Sequence, residues 1–240
     1  MKKLSTIILI IVVLLTVATT VSAGKIATYE VTITNLTAGQ PLTPPVIATH
    51  RRPVHIFQAG SAASFEVKEI AENGNSAPLL TALDGNKRVF DVQQSDMGPL
   101  VPAADPGGSG FADSVTFTVS GARGAKYLSF ASMLVCTNDG FTGVDGLRLP
   151  KKVGHSVTVT TNGYDAGTEL NTEDFADIVP PCQGLIGVSS DDAGSGMSNP
   201  ALAEGGVIMH HAGIQGGDDL LPGVHGWADP VAMVEITRID

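Results

Sequence analysis

The residues most able to do chemistry lie in a glycine-rich acidic segment, residues 136–149. Asn138, Asp139 and Asp145 follow an apolar run there, with glycines between them. Glycine lets a backbone turn tightly, so carboxylates can converge on one point, and Ca²⁺ prefers six to eight oxygen ligands. The segment therefore predicts a Ca²⁺-type site on a loop. The competing interpretation is an ordinary turn, since Asp, Asn and Gly are common turn residues.

A second acidic segment, residues 162–171, holds Asp165 and Glu169. In a β-sandwich, the loops that join alternate strands gather at one end, so two acidic loops can meet there. We therefore expect the two segments to share one divalent cation.

Three histidines form another candidate site. His210, His211 and His225 lie in a glycine-rich segment with Asp218 and Asp219. Imidazole and carboxylate ligands in this combination suit a transition metal. Neighbouring side chains on a strand point to opposite faces, however, so an adjacent pair rarely binds one ion together. Ordinary loop or edge histidines are the favoured interpretation.

No motif of a known catalytic class is present: the sequence has no GxSxG, HExxH, P-loop or Rossmann fingerprint. Acidic residues can form a glycosidase pair, but no pair stands out here. We therefore expect a non-enzymatic binding or adhesion module. Two alternatives stay open. One is an exported carbohydrate-active or other hydrolase that uses the loop carboxylates; the other is a self-associating structural envelope protein that pairs through a sandwich edge.

The charge balance narrows the possible partners. The 240 residues include 24 acidic and 14 basic side chains, a formal charge of −10. Lys2 and Lys3 are the only charges in the first 23 residues, so the remainder has 24 acidic against 12 basic side chains. An acidic chain without a basic block is a poor candidate for binding nucleic acid or anionic membranes. The 28 Gly and 14 Pro also disfavour a helical bundle.

The first 23 residues have the pattern of a signal peptide. A basic start is followed by the apolar run 7–15, and small residues at 21–23 precede a plausible cut before Gly24. A retained membrane anchor is the alternative, because the apolar stretch approaches spanning length. We expect cleavage, one domain over residues 24–240, no membrane insertion afterwards, and an exported location, periplasmic or extracellular.

Cys136 and Cys182 are the only cysteines. In an exported chain a single pair usually forms a disulfide. Two buried thiols or a redox pair are the alternatives, but no CxxC motif is present.

Alternating apolar and polar residues predict about eight strands of an antiparallel sandwich. The candidate strands are 29–33, 54–57, 88–92, 115–119, 127–135, 157–159, 206–210 and 231–239. Two helices are predicted at 61–73 and 77–83. Long surface loops are expected at 101–110 and 189–205.

Several motifs in this order resemble the spondin N-terminal domain of the F-spondin and mindin group. That family has a loop of the form P-[ST]-x-D-x-F-x-G-x-D-x-L. Its residues match Asp139, Phe141, Gly143, Asp145 and Leu147. YDAGTE at 164–169 resembles the family's Y-D-A-G-T-[DE], and the opening and closing segments of residues 25–240 are similar too.

The resemblance implies an eight-stranded antiparallel sandwich similar to calcium-dependent lipid-binding domains. It also implies a bound divalent cation, expected to be Ca²⁺, with Asp139, Asp145, Asp165 and Glu169 as ligands. The family's animal members are matrix proteins that bind integrins and microbial surfaces. This chain contains no thrombospondin repeat, so those ligands are not carried over. We expect a protein or glycan surface ligand of unknown identity.

Overall fold

The computed structural model, which describes residues 25–122 and 124–240, is built on ten β-strands in two antiparallel sheets. The strands are β1 (Ala27–Asn35), β2 (Val46–His50), β3 (Val89–Gln94), β4 (Ser114–Gly121), β5 (Tyr127–Met133), β6 (Gly140–Arg148), β7 (Ser156–Thr161), β8 (Gly163–Asp165), β9 (Met209–His210) and β10 (Ala232–Arg238). One sheet has the order β4-β1-β10-β7 and the other β3-β2-β5-β6-β8-β9. The predicted antiparallel β-sandwich is confirmed. Eight strands have five or more residues, and β8 and β9 are short additions.

The four-stranded sheet follows directly from residue alternation. Val31 and Ile33 of β1 are fully buried, whereas Thr32 and Thr34 are only partly so. Val31 aligns with Ile236 of β10, whose side chain is also buried. Burying each such side chain stabilises the fold by about 1.5–3 kcal/mol, so this alternation fixes the register of the first and last strands.

The six-stranded sheet is covered on its outer face by helices. These are α1 (Phe65–Asn73), α2 (Ala77–Asp84), α3 (Pro181–Ile186) and α4 (Pro222–His225), with 3₁₀ turns at Phe175–Asp177 and Pro200–Leu202. Both predicted helices are confirmed; α1 begins four residues later than predicted because Ser64 is its N-cap and accepts a hydrogen bond from Val67 N–H. β5 lies between α1 and the other sheet, which explains its continuous apolar sequence.

Two predicted elements are wrong. Residues 54–57 form no strand, and the neighbouring strand is β2, whose five residues are all buried and so do not alternate. Residues 140–148 form β6 rather than a loop. At Gly143 a Cβ atom would lie 2.2 Å from the carbonyl oxygen of Phe130, so glycine here allows close strand approach rather than a turn.

The predicted disulfide is confirmed. Cys136, just beyond β5, is bonded to Cys182 of α3, with the two Cα atoms 5.0 Å apart. It ties the helical side of the molecule to the turn between β5 and β6.

The predicted signal peptide, residues 1–23, lies outside the described residues. Nowhere in the described chain is a helix both long enough and apolar enough to cross a membrane. The single-domain division of residues 24–240 stays a prediction.

Candidate functional site

Strand pairing brings two of the predicted acidic ligands side by side. Asp139 immediately precedes β6, and Asp165 is the last residue of β8. Gly140 and Asp165 are register partners, and Ala166 N–H donates to the Asp139 carbonyl oxygen over 3.1 Å. The short strand β8 therefore places both carboxylates at one end of the six-stranded sheet.

Only one of the two oxygens of the Asp139 carboxylate has hydrogen-bond partners. Its Oδ2 accepts hydrogen bonds from Thr168 N–H (2.7 Å), the Thr168 hydroxyl (3.2 Å) and Glu169 N–H (3.1 Å). Its Oδ1 is buried and has no hydrogen-bond partner among the described residues. Burial, together with the nearby Asp165 charge, raises the pKa of Asp139 to about 7 against the opposing hydrogen bonds.

Asp165 ends β8, and Glu169 lies in the loop that follows it and folds over this carboxylate. Asp165 accepts hydrogen bonds from Gly167 N–H and from the Asn171 amide, each at 2.7 Å. Glu169 is buried and accepts a hydrogen bond from Asn199 N–H at 3.0 Å. Burial raises the pKa of Glu169 to about 7, and the charges of Glu72, Asp139 and Asp177 add to the effect.

Glu72 is a buried acidic residue that sequence reasoning missed. Its side chain on α1 is 1% exposed, neither carboxylate oxygen has a hydrogen-bond partner among the described residues, and Lys68 Nζ lies 3.6 Å away. In the sequence, Lys68 and Glu72 have the i,i+4 spacing of an ordinary surface ion pair. Nothing local indicates that this face of α1 packs near Glu169.

Asp145 lies elsewhere. It lies five residue steps after Gly140 along β6, about 17 Å at the rise of an extended strand. Its carboxylate accepts hydrogen bonds from Ile56 N–H (2.8 Å) and Ser129 Oγ (3.3 Å), and it pairs with His55 Nδ1 (2.5 Å). The structure thus places Asp139 near Asp165 and Glu169, without bringing the oxygens of all three within 4.8 Å of one another, and separates Asp145 from them, because the expected loop is a strand.

Comparison with known protein families shows to which family this chain belongs. The model of the family described as Spondin_N matches residues 40–175, more than half of the chain. The chain belongs to the spondin N-terminal domain family. The match spans Asp139, Asp145, Asp165 and Glu169. No curated protein matches the sequence. The family is extracellular, and the disulfide of this spondin domain fits an exported protein.

The residues of this spondin domain fit the cation that the family resemblance implies. Asp139 and Asp165 offer carboxylate oxygens, the donors that hard cations prefer, whereas the oxygens of Asp139, Asp165 and Glu169 do not all come within 4.8 Å of one another. The unpartnered Asp139 Oδ1 beside Asp165 is a buried acceptor that a cation would satisfy.

The histidines do not add ligands. His211 Nδ1 accepts a hydrogen bond from Gly213 N–H, and His225 Nδ1 accepts one from Leu221 N–H, both at 2.9 Å. In a neutral imidazole the other nitrogen then carries the proton, so neither ring offers a lone pair to a metal. His210 is exposed and its Nε2 pairs with Asp229. Burial lowers the pKa of both His211 and His225, which keeps these rings neutral.

A separate acidic group lies on the loops of this spondin domain. Ligand atoms of Asp174, Asp192 and Asp219 all lie within 4.8 Å of one another, which within the described chain is true of no other group of three acidic or metal-binding side chains. Asp192 is exposed, and Asp174 and Asp219 accept hydrogen bonds from Ala176 N–H and Phe175 N–H. Solvated loop carboxylates with such partners are common, and we assign the group no function.

Proposed function

We propose that this spondin domain is an exported, non-enzymatic binding module in which a divalent cation of the Ca²⁺ type links Asp139 and Asp165. The observation that carries the proposal is the Asp139 Oδ1 atom, which is buried, unpartnered and next to a second carboxylate. An unpaired buried carboxylate is costly, and either a proton or a cation relieves that cost.

The cation would act through the loops. Asp139 holds the backbone of Thr168 and Glu169, and Glu173 in the same loop accepts hydrogen bonds from three consecutive backbone N–H groups. The donors are Gln215, Gly216 and Gly217, each at 2.6 Å. By neutralising Asp139 and Asp165, the cation would fix two loops relative to the sheet: the loop that follows β8 and the loop that contains Gln215, Gly216 and Gly217. We assign the contact with a protein or glycan partner to this loop surface.

A binding role fits the burial of these acids better than a catalytic one. A pKa near 7 is typical of general acids and bases, and Asp139 and Glu169 both have one. A catalytic carboxyl must come within hydrogen-bond reach of its substrate, however. Asp139 is 0% exposed and Glu169 3%, so neither meets a substrate from solvent.

Thermal unfolding tests the proposal. The exported protein is melted near neutral pH in Ca²⁺, in Mg²⁺ and in excess EDTA. A higher melting temperature in Ca²⁺ is expected, because a ligand that binds only the folded state stabilises it. Identical melting curves in Ca²⁺ and EDTA would overturn the cation site.

A further inference from the structure

Half of the basic side chains of this acidic protein line two cavities at one end of the sandwich. Of the 12 Lys and Arg residues after position 23, six line two adjoining cavities. They are Lys25, Lys126, Arg148, Lys151, Lys152 and Arg238. We call this group the basic end.

The two cavities place these cations next to one another. The first, of about 300 Å³, is lined by all of them except Lys152, with Tyr29 and Leu149 among its apolar walls. The second, of about 640 Å³, shares Arg148 and Lys151 with it and adds Lys152 and His155. The cations therefore form one continuous surface.

The charges of the basic end are not neutralised by ion pairs. Over residues 25–122 and 124–240, ion pairs shorter than 4.0 Å involve only other basic residues: His55, Lys68 and His210. Asp240 is the acid next to Lys25 and Arg238, and its carboxylate is bonded to the backbone and hydroxyl of Thr28. Arg238 donates to two backbone carbonyl oxygens, those of Lys151 and Asp240, which leaves it charged.

Exposed apolar side chains alternate with these cations. Ile26, Val153 and Ile239 are 55%, 58% and 48% exposed, and each directly follows a basic residue in the sequence. Hydrogen bonds hold the three segments together: Gly154 N–H donates to the Arg238 carbonyl oxygen and Ile239 N–H to that of Thr28. Apolar tips among cations are the composition that docks at the interface of an anionic bilayer.

The acidic loops are too far away to cancel this surface. β6 runs from the carboxylate end at Gly140 to Arg148, eight residue steps or about 26 Å. The Debye length at physiological ionic strength is about 8 Å. The local charge, and not the net charge of −10, therefore decides what this end attracts.

We propose that the basic end docks peripherally on an anionic lipid bilayer, with Val153 and its apolar neighbours at the headgroup level and the lysines and arginines against lipid phosphates. The surface is distinct from the acidic loop end, and its docking does not depend on the cation there.

Vesicle binding tests this docking. The exported protein is mixed, in EDTA, with phosphatidylcholine vesicles with or without about 30% phosphatidylglycerol. We expect binding to the anionic vesicles alone, and binding that weakens as salt is raised. The double variant Arg148→Ala/Lys151→Ala should bind at least tenfold more weakly, since each lost cation near the surface weakens attraction several-fold. Val153→Ser should weaken it further without any change in charge.

The control is Lys68→Ala on α1, set against the single variant Lys151→Ala, because Lys68 lines neither cavity and lies 3.6 Å from Glu72. It should bind like the wild-type protein. Equal losses in Lys68→Ala and Lys151→Ala would overturn the proposal, as would no binding to anionic vesicles. Binding to soluble dextran sulfate without vesicle binding would also overturn it, in favour of a soluble polyanion.

Discussion

Asp139 and Asp165 are neighbours because β6 and β8 are paired: Gly140 lies opposite Asp165, and the Asp139 carbonyl oxygen accepts the Ala166 N–H group. The backbone ladder therefore places two buried carboxylates at the same end of the sheet, near enough for the charge of Asp165 to act on Asp139. Their mutual repulsion is a cost of the metal-free fold that a cation or a proton removes.

Replacing Asp139 with Asn should separate metal binding from stability. In Asp139→Asn the amide oxygen can accept the hydrogen bonds from Thr168 and Glu169, and the amide nitrogen faces the Asp165 charge. We expect a higher melting temperature than wild type in EDTA and no further rise in Ca²⁺. The measurement is differential scanning fluorimetry in both conditions.

Asp145→Asn is the control for this experiment, because Asp145 lies outside the acidic group and is held by His55, Ile56 and Ser129. It should lower the melting temperature modestly and keep the full response to Ca²⁺. Loss of the Ca²⁺ response in Asp145→Asn, with the response retained in Asp139→Asn, would contradict the assignment.

The stability of the metal-free protein should fall as pH rises from about 4.5 to about 7. Burial raises the pKa of Asp139 and of Glu169 from their ordinary values of 3.8 and 4.5 to about 7. The folded state then holds protons that the unfolded chain has released, so their stabilising effect is lost over this window. The measurement is the urea midpoint against pH in EDTA.

Ca²⁺ should reduce this pH dependence, since protons and the cation compete for the same oxygens. The stabilisation by Ca²⁺ is therefore expected to be larger at pH 8 than at pH 5. A urea midpoint in EDTA that rises steadily between these pH values would count against buried, protonated carboxylates.

Opening the disulfide should destabilise the fold without removing the sheets. Cys136 and Cys182 are separated by 46 residues, for which the chain-entropy model gives about 4 kcal/mol. The variant Cys136→Ala/Cys182→Ala should retain its far-ultraviolet circular dichroism and unfold at lower urea. In the wild-type protein, alkylation of both thiols without prior reduction would show that the bond is absent in solution.

Gly143→Ala should be strongly destabilising. The added Cβ atom would meet the Phe130 carbonyl oxygen at 2.2 Å, so β5 and β6 would have to separate locally. We expect a loss of several kcal/mol, in the range of severe backbone clashes. Gly184→Ala in α3 meets no atom within 4 Å and should be neutral or slightly stabilising. Similar urea midpoints for the two variants would argue against the β5–β6 contact.

The sequence predicts those strands that have one buried face and one exposed face. β1 and β4 alternate between buried and partly exposed residues, so their period is visible along the chain. β2 is buried on both faces, and its five residues carry no such period. β6 was not predicted as a strand for another reason, because its glycines are typical of turns. Gly143 is nevertheless part of the strand, where the close approach of Phe130 on β5 leaves no room for a side chain.

The site was predictable to the extent that it depends on neighbouring chain segments. Asp139 and Asp165 adjoin recognisable strand ends, and the spondin resemblance marks both. Glu72 reaches Glu169 only through the packing of α1, and the six cations of the basic end come from four separate segments. No local pattern records such distant contacts, and the net charge conceals the basic end altogether.

The order β4-β1-β10-β7 places the last strand between the first and the seventh. Because a protein is synthesised from its amino terminus, β1 is made long before β10, and the edge of β1 that β10 occupies stays open until residues 232–238 follow. Open strand edges recruit other strands. A chain that lacks residues 232–238 therefore exposes one edge of β1 and one edge of β7, and a second chain can pair with either.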